Sequence, residues 1–272
     1  MKLTKTISYL FVLAWLAGIF LQCKTVPVTN RKELNLVPEF LIKSMSFTEY
    51  DSVIRVSRTL PAGNEQTQLI RRVGARIQKA VEDYMNQNGF SKELKNYKWD
   101  YNVIDENIIN AWCMPGGKVV VYTGLLPVTQ NETALAIVMG HEIGHAIAHH
   151  GNERMSQALL IQLGGLTLEE ALKQKSQQTQ AIFLSLYMIG ANLGFALPHS
   201  RLQESEADKL GLIFAAMAGY DPEEAIPFWK RMAASGTGNK IPEFLSTHPS
   251  DETRIKKLSA LIPEVKQKYY KQ

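Results

Sequence analysis

Between Asn64 and Asn88 apolar residues return at helical spacing. Ile70, Val73, Ile77 and Val81 fall on one face with charged residues opposite, which predicts an amphipathic helix. Asn88-Gly89 supplies its C-terminal stop. Lys98–Ile104 and Lys118–Tyr122 are instead rich in β-branched and aromatic residues and predict strands. Met114-Pro115-Gly116-Gly117 forms a turn between them. From Thr129 onward the pattern is helical. Thr129 and Glu132 have the spacing of a capping box, and Ala134-Leu135-Ala136-Ile137-Val138-Met139 drives the helix they open into the core. Ser200 and Gln203 repeat the capping pattern further on. One other long uncharged segment, Ala181–Pro198, contains two glycines and predicts a buried helix rather than a membrane span. The layout is α+β and mostly helical, with a small sheet beside the helices.

The N-terminus adds a location. Lys2 and Lys5 precede an uncharged, mostly apolar run, Ile7–Leu21, that ends at Cys23. The run is shorter than the ~20 residues of a spanning helix and suits a signal peptide. Phe20-Leu21-Gln22-Cys23 is an imperfect lipobox, so Cys23 is the expected lipidation site, and a polar stretch from Lys24 to Pro38 reads as a tether. A plain secretory signal or an uncleaved anchor would also export the chain. With Cys23 lipidated, Cys113 has no disulfide partner and reads as a buried thiol on a strand. The formal net charge is +4, two units of it in the leader, which argues against a nucleic-acid partner.

The chemistry centres on His141-Glu142-Ile143-Gly144-His145. Two histidines four residues apart on a helix project to one side and can take adjacent corners of a tetrahedral zinc site. Glu142, next to the first of them, can reach a water at the metal and accept its proton. The apolar neighbours Ile143, Ala146 and Ile147 bury these polar groups, and buried imidazoles beside a carboxylate need a partner that a metal supplies. An extended motif with a third histidine is excluded, because Ala148 and Gly151 occupy the positions it needs. His149 and His150, read as lying two turns along the same helix, fit a solvated or supporting role.

A third ligand is offered by Glu204, on the helix opened by Ser200, with Asp208 four residues on. Glu204 can complete the metal site, and Asp208 can accept from the far nitrogen of His141 and fix its tautomer. Spacing alone equally allows an exposed acidic face, although Ala207, Leu210, Leu212, Ile213 and Phe214 surround the pair with apolar residues.

His141–His145 followed by Glu204-Ser205-Glu206-Ala207-Asp208 resembles the M48 peptidase family, including its bacterial envelope lipoprotein branch. Asn110-Ala111-Trp112-Cys113-Met114-Pro115-Gly116-Gly117-Lys118 is similar to the family's strand and turn before the zinc helix, and the similarity covers most of the chain. It implies a zincin-like (gluzincin) domain with one Zn2+ per chain. It also implies Glu204, not Glu206, as third ligand, and Asp208 as the support of His141. His248, in Thr247-His248-Pro249, is implied as an added ligand in a latent state or a transition-state donor, and Arg254 as a binder of the developing oxyanion. The strand Asn110, Ala111, Trp112, Cys113 is implied as the edge on which an extended substrate pairs. Trp112 and His199 depart from the usual residues.

The resulting expectation is a leader at 1–22, a tether at 23–40, a metallopeptidase domain at 41–263 and a tail at 264–272. The chain is expected to be a lipid-anchored zinc endopeptidase on the periplasmic face of the bacterial envelope, at the outer membrane. Its expected substrates are misfolded or unassembled envelope proteins, and Glu142 is its general base. The rival expectation is a non-proteolytic chaperone or assembly factor whose metal site His248 keeps closed.

Overall fold

The computed structural model describes residues 23–27, 29–191, 197–236, 242–248 and 252–271. The leader, the side chains of Cys23 and His199, and Pro249 lie outside the described residues. In chain order the elements are β1 (Cys23–Thr25), β2 (Lys32–Leu34), α1 (Glu39–Val56), α2 (Glu65–Gln87), β3 (Asp100–Ile104), β4 (Ala111–Met114), β5 (Lys118–Tyr122) and the short α3 (Leu126–Thr129). Then follow α4 (Glu132–Ile147), α5 (His150–Leu172), α6 (Gln177–Ala191), α7 (Leu197–Met217), α8 (Ala225–Ser235), α9 (Glu243–Thr247) and α10 (Glu252–Tyr269). They divide into two compact units, Met1–Ile42 with Gly151–His199, and Lys43–His150 with Ser200–Gln272.

In the first unit the residues expected as a tether carry β1 and β2, paired antiparallel with Lys24 opposite Glu33. They are fastened to the first turns of α5. Asn152 Nδ2 donates to Val37 O at 2.7 Å, and Leu36 N donates to Ser156 Oγ at 2.9 Å. Arg31 grips both oxygens of Glu153 at 2.7 and 2.8 Å. α5 and α6 form a helical hairpin in which Tyr187 Oη donates to Ile161 O. The buried helix expected over Ala181–Pro198 is corrected here. Ile182, Phe183 and Leu186 of α6 are exposed, and residues 192–196 lie outside the described ones. No described helix is long and apolar enough to cross a membrane.

The second unit holds a three-stranded sheet in the order β3-β5-β4. β5 runs parallel to β3 and antiparallel to β4. The hairpin turn between β4 and β5 places Gly116 and Gly117 at φ 92° and 86°, backbone that favours glycine. Val119, Val120 and Val121 are all fully buried, so both faces of the sheet are covered. α1 covers one face through Tyr50, packed with Ile104 and Val120 and edge-on to Trp112. The sequence pattern predicts one helix ahead of the strands, whereas α1 precedes α2. Its apolar residues are scattered round the axis, Phe40 and Met45 outward and Ile42 and Tyr50 inward, and leave little periodic signal. α2 matches its expected span, with Asn64 as N-cap and Ile70, Val73, Ile77 and Val81 buried.

Three expected boundaries differ. The zinc-motif helix begins at Glu132, capped by Asn131, whose Oδ1 accepts from Ala134 N at 2.8 Å. Thr129 instead ends α3, because Gln130 at φ 64° breaks the chain between the two helices. α7 is already helical at Leu197, so Ser200 is an interior residue and not a cap. At the C-terminus α10 runs through Pro263 to Tyr269 with Val265 buried.

Candidate metal centre

Every residue of α4 from Ala134 to Ile147 is buried, which holds His141 and His145 on a rigid support. α7 crosses α4 backbone against backbone. A Cβ on Gly140 would lie 2.9 Å from Gly211 O, and one on Gly211 2.7 Å from His141 N. Glycine alone permits that approach, and the crossing sets Glu204 and Asp208 beside the two histidines.

Four donor side chains then converge: His141, His145, Glu204 and His248, all buried. His141 Nε2 is 3.1 Å from His145 Nε2, 3.4 Å from Glu204 Oε2 and 3.3 Å from His248 Nδ1. Glu204 Oε1 is 3.2 Å from His145 Nε2 and 3.0 Å from His248 Nδ1. A tetrahedral zinc with nitrogen and oxygen ligands at about 2.0–2.1 Å has edges of roughly 3.3 Å. The donor set therefore fits zinc in size as well as in chemistry.

The tautomers argue the same way. His141 Nδ1 donates to Asp208 Oδ1 at 2.9 Å, leaving the lone pair on Nε2. His150 Nε2 donates to Glu206 Oε2 at 3.0 Å, so its Nδ1 accepts. His145 Nδ1 lies 2.8 Å from that atom and is the donor, which again leaves the lone pair on Nε2. Two lone pairs and a carboxylate facing one another in a buried site call for a cation.

Charge follows geometry. Burial and Arg254 push the His141 pKa down, but Asp208 and Glu204 outweigh them and lift it to about 9. Burial drives His145 well below the usual histidine range. Burial alone would raise Glu204, yet hydrogen bonds from three imidazoles hold it far below the carboxylate range. Burial raises Glu142, whose Oε1 is buried without a hydrogen-bond partner. That atom is 4.0 Å from His141 Nε2 and 3.7 Å from His248 Nε2, beside the donor cluster.

Asp208 serves two partners, since Arg254 also clamps it through Nε and Nη2 at 2.9 and 2.6 Å. The guanidinium lies 3.4 Å over the Trp229 ring, and its Nη1 donates to His248 O at 3.4 Å. Nη1 also lies 3.6 Å from Glu204 Oε2. His248 closes α9 as its C-cap, and α9 is tied to the lead-in of β4. Phe244 N donates to Ile109 O, and Asn110 Nδ2 donates to Glu243 Oε1 at 3.0 Å. Among the described residues β4 pairs with β5 alone, so it is an edge strand as expected. Cys113 is half-buried on β4 and outside the donor cluster, and burial pushes its thiol up.

Sequence reading gives His150 a solvated or supporting role and Glu206 none, whereas the structure pairs the two behind His145. His150 was placed two turns along the zinc helix, but His149 takes φ 54° and a new helix starts at His150. The turn folds His150 back onto His145. Glu206 stands beside Ala207 in an apolar surrounding, which is the one sequence hint that it has a buried partner.

A zincin-like α+β fold with a buried His-His-Glu donor set that fits zinc and an adjacent carboxylate defines the class: a zinc metallopeptidase. Residues 72–262 match the family model described as Peptidase family M48, and the chain belongs to that family. It is 34% identical over 252 residues to the mitochondrial metalloendopeptidase OMA1 of Schizosaccharomyces pombe, covering 92% of this chain and 69% of that one. The Arabidopsis thaliana protein of the same name is 36% identical over 184 residues, 67% of this chain and 36% of its own length. The beta-barrel assembly-enhancing protease of Yersinia pestis is 30% identical over 159 residues, 57% of this chain and 32% of that protein. The chain thus spans about a third of each of the last two relatives in alignment.

Proposed function

We propose that the chain is a zinc endopeptidase of the bacterial cell envelope that cleaves misfolded or unassembled proteins, in a closed state here. The observation that carries the reading is the convergence of His141, His145, Glu204 and His248 next to Glu142 Oε1, which is buried without a hydrogen-bond partner. His141, His145 and Glu204 would hold the zinc, which when bound acidifies a water and polarises the scissile carbonyl. Glu142 accepts the water's proton and returns it to the departing amine. Asp208 holds His141, and the His150–Glu206 pair holds His145. An extended substrate adds to the β4 edge at Asn110–Cys113 through main-chain hydrogen bonds, which selects unfolded segments.

His248 Nδ1 stands 3.3 Å from His141 Nε2 and 3.0 Å from Glu204 Oε1, where it would compete with a water or substrate for the metal, so it must leave for turnover. Arg254, whose Nη1 donates to the His248 carbonyl and lies 3.6 Å from Glu204 Oε2, is the proposed binder of the developing oxyanion. The envelope assignment rests on the apolar leader ahead of Cys23, with lipid at Cys23 as the anchor. The Yersinia relative, named for beta-barrel assembly, is in keeping with it.

A second reading, a chaperone or assembly factor with a permanently closed metal site, is favoured by His248 in the fourth corner. Incubation with zinc and a permanently unfolded protein, with and without chelator, separates the two. The protease reading expects chelator-sensitive fragments. Suppressed aggregation without any cleavage, by both the parent and His248→Ala, would overturn it.

A further inference from the structure

The hairpin of the first unit presents an apolar surface to solvent. Leu159, Leu163 and Leu166 follow one stripe of α5 at helical spacing, and Ile182, Phe183 and Leu186 stand out from α6. Leu166 is 55% exposed and Leu186 60%, far more than a helix packed into a core allows. Residues 155–168 and 176–191 contain no Asp, Glu, Lys or Arg, and the hairpin's charges are confined to Glu153 and Arg154 at its root and Glu169, Glu170, Lys173 and Lys175 at its turn. Between the two helices opens a groove of about 460 Å³ whose lining includes Ile161, Leu184 and Met188. Contiguous apolar surface of this kind marks an interaction site.

We propose that this hairpin lies on a lipid bilayer, with its apolar face in the boundary between headgroups and acyl chains. The chain itself fixes the occupant. The apolar run Ile7–Leu21 ends just before β1, and β1 and β2 are fastened to the root of α5 by the Asn152, Ser156 and Arg31–Glu153 contacts. Cys23, the proposed lipid-bearing residue, opens β1, so the bilayer that takes its lipid lies beside that root. The exposed stripe follows within one helix length, ~35 Å at 1.5 Å per residue. A second copy or an unfolded substrate could also cover leucines, but the sequence holds neither beside them. Helices too short or too polar to span, with one apolar face, lie in the interface plane. The inference rests on the reading of Cys23 as the lipidated residue after a leader and is independent of the peptidase chemistry.

The test uses the lipidated protein with Cys113→Ser, in which Cys23 carries lipid and no free thiol, spin-labelled at Leu163→Cys, Leu186→Cys or, as an aqueous reference, Lys79→Cys on α2. It is mixed with phosphatidylethanolamine–phosphatidylglycerol vesicles and floated. The expected result is that the labels at 163 and 186 become several-fold more accessible to oxygen than to a water-soluble nickel chelate, relative to Lys79. Floating protein whose hairpin labels still meet nickel as Lys79 does would overturn the proposal. So would labels shielded from both reagents, which indicates cover by protein. Failure of the lipidated protein to float would remove the anchor reading and the proposal with it, leaving the peptidase assignment untouched.

Discussion

His150 hydrogen-bonds His145 through their Nδ1 atoms at 2.8 Å, while its own Nε2 donates to Glu206. A zinc ligand is thus oriented by a second histidine that a buried carboxylate orients in turn. Outer partners of this kind are typically worth 10–100-fold in metal affinity. His150→Ala and Glu206→Ala are expected to weaken zinc binding by about that factor in chelator competition. Glu206→Gln should do less harm, because an amide oxygen still accepts from His150.

The glycine crossing gives a second expectation. Gly211→Ala puts a methyl group 2.7 Å from the His141 backbone nitrogen and must part α4 from α7. Overpacking of this kind costs about 1–3 kcal/mol. Urea unfolding of the metal-free protein should show that loss, and zinc affinity should fall with it because Glu204 moves with α7.

Zinc uptake should be linked to pH. In the metal-free protein the His141 pKa is lifted to about 9, so at neutral pH the ring carries a proton that ligation displaces. His145 is lowered and has none to lose. Affinity is expected to rise with pH up to about 9 and flatten above it. Calorimetry near pH 7 in buffers of different ionisation heat should report about one proton released per zinc.

His248 and Asn110 test the closed state. If His248 is a latch, His248→Ala should raise cleavage of an unfolded protein several-fold while zinc stays bound by the other three ligands. Asn110→Ala, which frees Glu243 of α9 from the lead-in to β4, should raise it in the same direction by less. A fall in kcat with His248→Ala would instead make it a transition-state donor.

Much of the site was legible because its residues act through short helical spacings. His141, Glu142 and His145 are read from one turn, whereas the spacing of Glu204 and Asp208 equally allows an exposed acidic face and only the family resemblance singles them out. The link between those turns is a tertiary contact, and Gly140 and Gly211 carry no chemical signature of it. His150 was misread because one left-handed residue, His149, redirects the chain where the pattern continues as helix. α1 escaped notice because its inward side chains lack a regular period, and the α5–α6 hairpin because an uncharged run reads alike whether buried or exposed. The strands and α2 were legible because each covers a core with a single periodicity.

The central claim, that Glu142 is the base beside a zinc held by His141, His145 and Glu204, is tested most directly by Glu142→Gln. Zinc content and cleavage of an unfolded protein should be measured on the same preparation. Loss of a positioned base typically costs 10²–10⁴-fold. The account expects zinc retained at the parent's level and turnover down by at least about 100-fold. Cleavage by zinc-loaded Glu142→Gln at the parent rate would contradict it.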